Sequence, residues 1–262
     1  HGAGWPLSES SSTGGFFLYH TENNQAVVGL ITDLSYSNPH LSPFDEFQRL
    51  KHHPILAKHL KGGKRVSYGA RAITKGGLNS LPKMTFPGGL VIGCDAGTLD
   101  FAKIKGTHTA MKSGLIAAEE VFKAIGADRA NDEITEYKTA FENSWVYKDL
   151  HNSRNFGPAM HKFGMFGGGA FNYIHHNICP LPFTLRDTTE DYATLKPASE
   201  CKKIDYPKPD GELSFAKLDS VFIGNVNHAE HQPCHLKLKD DTLPLGHNLA
   251  KWDEPAQRYC PA

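Results

Sequence analysis

The sequence of 262 residues lacks features that would each point to a particular class of protein. No apolar run reaches the ~20 residues that a membrane-spanning helix needs. The five cysteines form no CxxC pair and are odd in number, which favours a reducing compartment or unpaired thiols over a secreted disulfide scaffold. Lysine and arginine together number 28, as do aspartate and glutamate, so no excess of positive charge indicates nucleic-acid binding.

A GxGxxG turn is also absent from the sequence. Such a turn, between a strand and a helix, holds the pyrophosphate in the common dinucleotide-binding domains. Gly167-Gly168-Gly169 has neither the spacing nor a preceding strand. The first residue is His1 rather than methionine, which predicts a processed or incompletely represented N-terminus.

The stretch from Phe86 to Ile125 has the clearest pattern in the chain. Leu90-Val91-Ile92 predicts a short interior strand, and Gly93-Cys94-Asp95-Ala96-Gly97 predicts a turn that lets the backbone approach a bulky group. A helix is predicted to begin near Gly106, capped by Thr107 or Thr109. Its apolar positions fall on one face, and they are Met111, Leu115, Ala118, Phe122 and Ile125.

This order of elements favours one wall of a dinucleotide site, with FAD as the cofactor. The N-terminus of a helix attracts anions, and an acid after a strand can accept hydrogen bonds from ribose or ribityl hydroxyls. Strand, loop and helix also occur in every α/β protein, so an ordinary α/β segment remains open on pattern alone.

The N-terminal part of the chain predicts a β-hairpin followed by a helix. One strand runs from Gly14 to His20, Asn23-Asn24 suits the positive φ angles of a tight turn, and a second strand runs from Gln25 to Leu34. Ser42-Pro43 predicts the start of a helix over 44–51.

The runs GGLVIGC and KIKGTHTAMKSG resemble the C-terminal FAD-binding segment of electron-transfer-flavoprotein to ubiquinone oxidoreductases. Further runs resemble the same family along the whole chain: GWPL, LSPFDEFQRLKHHP, GGKRVSYGARA, DYPKPDGELSF, NHAEHQPCHLKLKDD and QRYCPA. The resemblance covers only the C-terminal half of the family's chain, because the GxGxxG half is absent from this sequence.

The resemblance implies a mixed fold of the α+β or α/β class. It would be part of a glutathione-reductase-like FAD domain with an inserted antiparallel-sheet quinone-binding domain. The implied regions are a quinone-binding hairpin and helix at 1–82, the C-terminal part of the FAD domain at 83–155, a membrane-facing aromatic and glycine segment at 156–194, and a connector with the start of a truncated iron–sulfur domain at 195–262.

The resemblance also implies roles for particular residues. The cofactor-binding residues would be Gly93, Cys94, Asp95, Lys105, Gly106 and Thr107. Gly14 and Gly15 would contact ubiquinone, although glycines at a strand edge can equally serve to permit a bulge. Asp100 stands where the family has an amide, and a carboxylate near a reduced flavin would be repelled by about 1 kcal/mol or more.

Two groups of residues bear on metal binding. Cys260 resembles the family's first [4Fe–4S] ligand, but such a cluster needs four thiolates. A cluster is therefore not expected from this chain alone. His228, His231, Cys234 and His235 have metal-like spacing, yet ligands so close in one loop leave little room for tetrahedral zinc, and metal binding there is disfavoured.

Two hypotheses for the function remain open. In the first, the chain carries electrons from reduced electron transfer flavoprotein to ubiquinone, and a complementary N-terminal chain supplies the rest of the FAD site. In the second, it is a redox-silent accessory subunit of a larger respiratory complex. The implied location is the matrix side of the mitochondrial inner membrane, with peripheral membrane contact through 156–194. That segment could also be a buried packing segment.

Overall fold

The computed structural model describes residues 1–10, 12–234 and 236–261. Its strands are β1 (Gly2–Ala3), β2 (Gly14–Thr21), β3 (Gln25–Thr32), β4 (Thr85–Phe86) and β5 (Gly89–Leu90). Its helices are α1 (Pro43–Lys51), α2 (Pro54–Leu60), α3 (Thr107–Gly126), α4 (Glu136–Glu142), α5 (Trp145–Ser153), α6 (Phe156–Asn177), α7 (Lys217–Gly224), α8 (Leu249–Trp252) and α9 (Ala256–Tyr259).

The chain divides into two compact units. Unit 1 combines His1–Ala70 with Thr189–Ala262, and unit 2 is Arg71–Thr188. Both mix helices with a small antiparallel sheet. The glutathione-reductase-like arrangement and the four regions implied by the family stay predictions, because a division into two compact units does not test them.

The sheet of unit 1 has the order β1-β2-β3, and all its pairs are antiparallel. The register runs from Gly14 opposite Thr32 to Thr21 opposite Gln25, which confirms the predicted hairpin. The turn places Asn23 at φ 57° and Asn24 at φ 55°. Asparagine tolerates this left-handed region better than most residues, which explains why the chain reverses there.

Helix α1 packs against this sheet. Ser42 caps it, because its hydroxyl oxygen accepts a hydrogen bond of 3.3 Å from the backbone N–H of Asp45. Phe44 and Leu50 face inward and are 2 % and 0 % exposed, so the predicted helix over 44–51 is confirmed. Leu7, Leu41 and Leu56 complete the fully buried apolar side chains of unit 1.

The segment that follows residue 194 lies along the loop between β3 and α1. The backbone N–H of Lys196 donates to the carbonyl of Ser37 at 2.9 Å, and the Asn38 side chain donates to the carbonyl of Lys202 at 2.9 Å. Unit 1 is therefore closed by segments far apart in sequence.

In unit 2 the predicted interior strand is wrong. Only Gly89–Leu90 pairs, with Thr85–Phe86, and Ile92 is 39 % exposed. Within the described residues of unit 2 no further strand is available to flank this one, so the apolar run does not become the centre of a sheet.

The long helix α3 confirms a predicted element, but its capping and its buried face differ from expectation. Gly106 is the N-cap residue and no side chain caps the helix. The Thr109 hydroxyl instead donates back to the carbonyl of Gly106 at 2.8 Å. The buried face carries Thr109, Ser113, Ile116, Ala117, Glu120 and Ala124. The apolar stripe predicted from the sequence faces outward, with Met111 at 71 %, Leu115 at 51 %, Phe122 at 80 % and Ile125 at 69 % exposed.

The core of unit 2 forms between α3 and the two helices that follow it. Its buried members include Ile116, Tyr137, Phe141, Val146 and Leu150. The buried side chains of α4 are Tyr137 and Phe141 and those of α5 are Val146 and Leu150, four positions apart in each, which turns one side of each helix toward the core.

The aromatic and glycine segment forms the helix α6, which is interrupted at Gly164 (φ 68°, ψ −174°). On this helix Phe166 is 91 % exposed, and Met165, Tyr173 and Ile174 are also exposed. No helix in the described part of the chain is long and apolar enough to cross a bilayer.

Candidate functional site

The two glycines at the start of β2 lie where the neighbouring strands approach closely. A Cβ atom on Gly14 would overlap the carbonyl oxygen of Ile31 and lie 2.6 Å from Leu7 Cδ1. A Cβ on Gly15 would overlap the carbonyl of Gly2. Sheet packing therefore requires glycine at both positions, and this requirement holds whether or not a quinone also contacts them.

One side of this hairpin is apolar and partly open. Phe17 and Tyr19 stack with ring centroids 5.6 Å apart, and Tyr19 is 52 % exposed. The Phe17 ring lies over its cross-strand partner Gly29, where a Cβ atom would collide with it. The hairpin thus has an exposed aromatic side chain, Tyr19, close to the glycine at position 29.

The residues expected to contact FAD come together at the start of α3. Gly93 is buried at φ +65°, and a Cβ there would meet Ala110 Cβ at 3.3 Å. A Cβ on Gly106 would lie 3.0 Å from Cys94 Sγ. The structure therefore places Gly93 against the first turn of α3 and Gly106, the N-cap residue, against Cys94.

The remaining expected FAD residues lie on the open side of the same wall. Asp95, Lys105 and Thr107 are exposed, and no side chain caps the backbone N–H groups of the first turn of α3. Thr98 is fully buried, and its Oγ1 has no hydrogen-bond partner. Exposed polar side chains and uncapped N–H groups at the start of a helix are groups to which an anion can bind.

Asp100, which raised a doubt about this wall, is held by neighbouring groups. It is 1 % exposed, and the Lys103 ammonium lies 3.2 Å from its Oδ2. Its backbone exchanges hydrogen bonds with Lys105 in an isolated bridge. Lys103 also donates to Asp149 at 2.6 Å, and the carboxylates raise its pKa above the ordinary value. The charge of Asp100 is therefore compensated locally.

The end of the described chain is fixed to unit 1 through its backbone. The Lys217 ammonium donates to the carbonyl of Cys260 at 2.9 Å, and the Tyr68 hydroxyl donates to the carbonyl of Pro261. The thiol of Cys260 lies on an exposed residue. One exposed thiol fits the chemistry of an iron–sulfur ligand, but a [4Fe–4S] cluster takes four.

The loop whose spacing resembles that of metal ligands carries His228, His231, Cys234 and His235. Among the described residues no three histidine, cysteine, aspartate or glutamate side chains are grouped so that they could hold a metal ion. His235, one member of the proposed set, lies outside the described residues. The Sγ of Cys234 instead approaches the carbonyl of Leu236 at 2.9 Å.

Two cavities lie in unit 1, and the sequence analysis anticipated neither. A cavity of about 200 Å³ is lined by His40, Ser42, Asp45, Tyr206, Asp253 and Arg258 among others. A larger one of about 470 Å³ is lined by Glu9, Ser10, Arg49, Lys196, Cys201 and Lys202 among others. Lys203 and Ile204 line both, so the two cavities adjoin the same segment of the chain.

A buried acid lies beside both cavities. Glu46 is 0 % exposed, and its Oε1 accepts hydrogen bonds from Ser10 Oγ and, at 2.9 Å, from the Tyr206 hydroxyl. Arg49 donates to the same carboxylate at 3.3 Å. Burial raises the pKa of Tyr206 above its usual range, and the Glu46 carboxylate adds to this. Glu46 lies four residues before the buried Leu50, and that spacing is the sequence signal that could have placed it in the interior.

Comparison with known families places these features in a class. The family described as "ETF-QO, ubiquinone-binding" matches residues 1–73, which include the hairpin glycines and Glu46. The family described as "Electron transfer flavoprotein-ubiquinone oxidoreductase, 4Fe-4S" matches residues 211–262, which include Cys260. The chain thus combines a region that matches a ubiquinone-binding family with a region that matches an iron–sulfur family. The second match does not support the expectation that a [4Fe–4S] cluster is unlikely in this chain alone.

Individual relatives narrow the class to a family. The electron transfer flavoprotein-ubiquinone oxidoreductase of Pseudomonas aeruginosa is 66% identical over 265 residues, which cover 100% of this chain and 48% of the relative. The probable enzyme of the same name from Acinetobacter baylyi is 57% identical over 280 residues, covering 100% of this chain and 49% of the relative. The human mitochondrial enzyme is 47% identical over 274 residues, covering 100% and 44%.

The chain therefore belongs to the electron transfer flavoprotein-ubiquinone oxidoreductase family. It spans about half the length of the curated relatives that it matches.

Proposed function

We propose that this chain works within an electron transfer flavoprotein-ubiquinone oxidoreductase. Electrons would pass from reduced electron transfer flavoprotein, through an iron–sulfur cluster and FAD, to ubiquinone. The observation that carries this proposal is the identity of 66% over the whole chain with a relative of that name. The cofactors supply the redox chemistry, and the protein's part is to place them and tune their potentials.

A complementary N-terminal half is part of the proposal. The relatives extend over about twice the length of this chain. The exposed apolar face of α3 also supports the proposal, because a partner could cover it. Met111, Phe122 and Ile125 are each more than two-thirds exposed on that face. A contiguous apolar stripe on a long helix is unusual in water unless another part of the protein covers it.

FAD would lie against the wall at the start of α3. Gly93, Cys94 and Gly106 give a close-packed floor, while Lys105 and the uncapped N–H groups after Gly106 favour the charge of a pyrophosphate. When bound, FAD supplies the change between one-electron and two-electron transfer. Asp100 does not oppose this assignment, because Lys103 compensates its charge.

Ubiquinone would be reduced at the hairpin, with Gly14 and Gly15 offering backbone groups to the quinone. The family match to residues 1–73 and the open aromatic side of the hairpin support this assignment. Peripheral membrane contact through α6 belongs to the same proposal, because Phe166 and Tyr173 present apolar surface at a water–lipid boundary.

The location follows from the relatives only as a proposal. The human and rat relatives are named as mitochondrial, whereas those with 66% and 57% identity come from bacteria. An energy-transducing membrane with ubiquinone fits both groups. The inner mitochondrial membrane on its matrix side is the eukaryotic form of that proposal.

An absorption spectrum of the purified protein, together with its quinone reductase activity, tests the proposed function. Flavin bands, a broad iron–sulfur shoulder and quinone-dependent reoxidation of reduced electron transfer flavoprotein are expected. A colourless protein that still folds with its partners would instead support the redox-silent accessory subunit.

Charge reversal at the wall gives a matched pair of variants. Lys105→Glu should lower the flavin content, because Lys105 is exposed next to the N-terminus of α3. Lys148→Glu is the control, since Lys148 is exposed on α5 and outside the wall. Equal flavin content in the two variants would contradict the placement of FAD at this wall.

A further inference from the structure

The buried carboxylate of Glu46 has hydroxyl groups on both sides. Tyr206 donates to it at 2.9 Å, and Ser10 donates to the same oxygen. The Tyr206 oxygen in turn accepts a hydrogen bond of 3.0 Å from the backbone N–H of Ser42. An acid flanked by two hydroxyls can pass a proton along, because each hydroxyl both donates and accepts.

The two hydroxyls open into different spaces. Tyr206 lines the cavity of about 200 Å³, and Ser10 lines the cavity of about 470 Å³. Glu46 itself is 0 % exposed and lines neither. The carboxylate is therefore the buried link in a chain of hydrogen bonds whose two ends reach separate cavities.

The Ser10 end of this series of hydrogen bonds lies next to the base of the β2–β3 hairpin. Ser10 follows the short turn Leu7–Glu9, and Leu7 packs on Gly14, the first proposed quinone contact. At the other end, His40 lies 3.4 Å from Asp253 across the smaller cavity, and Arg258 pairs with the same acid at 2.5 Å. An imidazole, a carboxylate and a guanidinium are thus present at the Tyr206 end.

We propose that Glu46, between Tyr206 and Ser10, is a proton relay that joins the two cavities and supplies protons for quinone reduction. The inference rests on the proposed function. Reduction of ubiquinone to ubiquinol takes up two electrons and two protons, and the electrons come from the reduced flavin or iron–sulfur centre of that function. The relay supplies the protons only.

Each passage moves one proton without a net change in the protein. The Tyr206 oxygen takes a proton from solvent in the smaller cavity while its own hydroxyl proton passes to the Glu46 carboxylate. The Ser10 hydroxyl then rotates so that its own proton faces the larger cavity. The proton on Glu46 passes to the Ser10 oxygen as the original Ser10 proton leaves into that cavity. Rotation of the Tyr206 hydroxyl restores the starting state, and two passages serve one quinone.

The charged groups around Glu46 set the conditions of this transfer. Arg49 faces it on α1, and Arg49 also pairs with Glu9 at 2.6 Å. Asp45 lies close enough to raise the pKa of Tyr206, together with burial and Glu46. The Arg49 guanidinium lies beside the Glu46 carboxylate and donates a hydrogen bond of 3.3 Å to it. A static Arg49–Glu46 pair that merely holds the fold is the alternative, and the test distinguishes the two.

The test uses Glu46→Gln and Tyr206→Phe in the quinone-reducing holoenzyme that contains this chain. Glutamine keeps the shape and the hydrogen bonds but cannot carry a proton, and phenylalanine removes the hydroxyl at one end. The matched controls are Glu22→Gln in the exposed hairpin turn and Tyr192→Phe, where Tyr192 is 76 % exposed. For each variant the steady-state rate of quinone reduction is measured from pH 6 to pH 9, a range of about three units around neutrality.

The relay predicts that both variants slow quinone reduction by roughly 10-fold or more, with a steeper loss toward high pH where protons are scarce. Single-turnover reduction of the flavin by the electron donor should be unchanged. A small weak acid such as formate should restore part of the rate, because it can enter the larger cavity. Both control variants should behave as the unmodified protein.

A merely structural role would give a different pattern. Loss of folding stability in Glu46→Gln and Tyr206→Phe, with no rescue by formate and no change in the pH profile of the residual rate, would overturn the relay. Unchanged rates in both variants would overturn it as well. If the unmodified protein reduces no quinone, the proposed function itself fails, and that result is separate from any effect of the variants.

Discussion

The two units of this chain are held together in different ways. Unit 1 joins sequence-distant segments through polar groups, among them the buried Glu46 and Asn38 and the partly buried Tyr206. Unit 2 has an apolar cluster around Tyr137 and Phe141, and its longest helices leave their most apolar faces in solvent. Directional hydrogen bonds fix which segments meet, whereas apolar burial contributes most of the stabilising free energy.

The two units differ in how far their own residues satisfy their polar groups and cover their apolar surface. Unit 1 satisfies its buried acid, Glu46, within its own segments, but the outward stripe of α3 in unit 2 finds no cover among the described residues of that unit. Unit 2 is therefore the unit that we expect to change most when a complementary half binds. Variants in the two units distinguish stability that arises within each unit from stability that a partner would add.

The largest effect is expected in the core of unit 2. Phe141→Ala should lower the free energy of unfolding by about 3–5 kcal/mol, because it opens a cavity at a side chain that is 1 % exposed. Phe122→Ala, at a side chain that is 80 % exposed, should cost less than about 0.5 kcal/mol in the isolated chain. Denaturant titration of both variants measures the difference. A large loss in Phe122→Ala would mean that α3 is already covered.

The next effect concerns the sheet of unit 1. Gly14→Ala should destabilise the protein by about 1–3 kcal/mol, since its Cβ would overlap the Ile31 carbonyl and crowd Leu7. Gly69→Ala serves as the control, because a Cβ there meets nothing within 4 Å. Thermal unfolding of the two variants checks the contrast. Equal stability would show that the strands can separate at Gly14, as a bulge would allow.

A smaller effect is expected from the polar network of unit 1. Tyr206→Phe should cost about 1–2 kcal/mol, because Glu46 loses a donor and the Ser42 N–H loses its acceptor in a buried site. Tyr192→Phe removes a hydroxyl that bonds Glu190 at the surface, and its cost should be near zero. Chemical denaturation of both variants tests whether burial makes the difference. If both cost the same, the network adds no stability of its own.

The smallest effect is a dependence of stability on pH. Burial, with a further contribution from Arg65, lowers the pKa of Lys51 from 10.5 to about 8. The unfolded chain binds the proton more tightly, so the free energy of unfolding should rise as the pH increases from about 8 to 10.5. Below about 8 the folded protein carries the full cost of the buried charge, which cation–π contacts with Phe47 and Phe215 partly offset.

The test of this dependence is Lys51→Met. The variant should be more stable near neutral pH by an amount on the order of 1 kcal/mol, and the rise between about pH 8 and 10.5 should disappear. Lys61→Met at an exposed position is the control and should keep the rise. Persistence of the slope in Lys51→Met would assign it to another group.

The local elements of unit 1 could be predicted because short-range chemistry decides them. Asn23-Asn24 sets the turn, and Ser42 caps α1 with its own side chain. The elements of unit 2 were less accessible from sequence. An apolar run at Leu90-Val91-Ile92 becomes an interior strand only when other strands flank it, and the stripe on α3 is buried only when a partner covers it.

The candidate site shows the same division. The residues from Gly93 to Thr107 could be named in advance because glycine spacing and a helix start are local features, although their roles toward FAD stay predictions. The link from Ser10 through Glu46 to Tyr206 could not be named, because it joins residues 36 and 160 positions apart along the chain. Nothing in the local pattern of either segment indicates the other.

The sequence by itself determined the family, the hairpin and the start of α1, because long matching runs and turn and cap residues act over a few positions. Only the tertiary structure decided that Glu46 is buried between two cavities, that Asp100 is compensated by Lys103, and that the apolar stripe of α3 faces outward. The physical reason is that burial and charge pairing depend on which distant segments pack together. Residue type alone does not encode that choice.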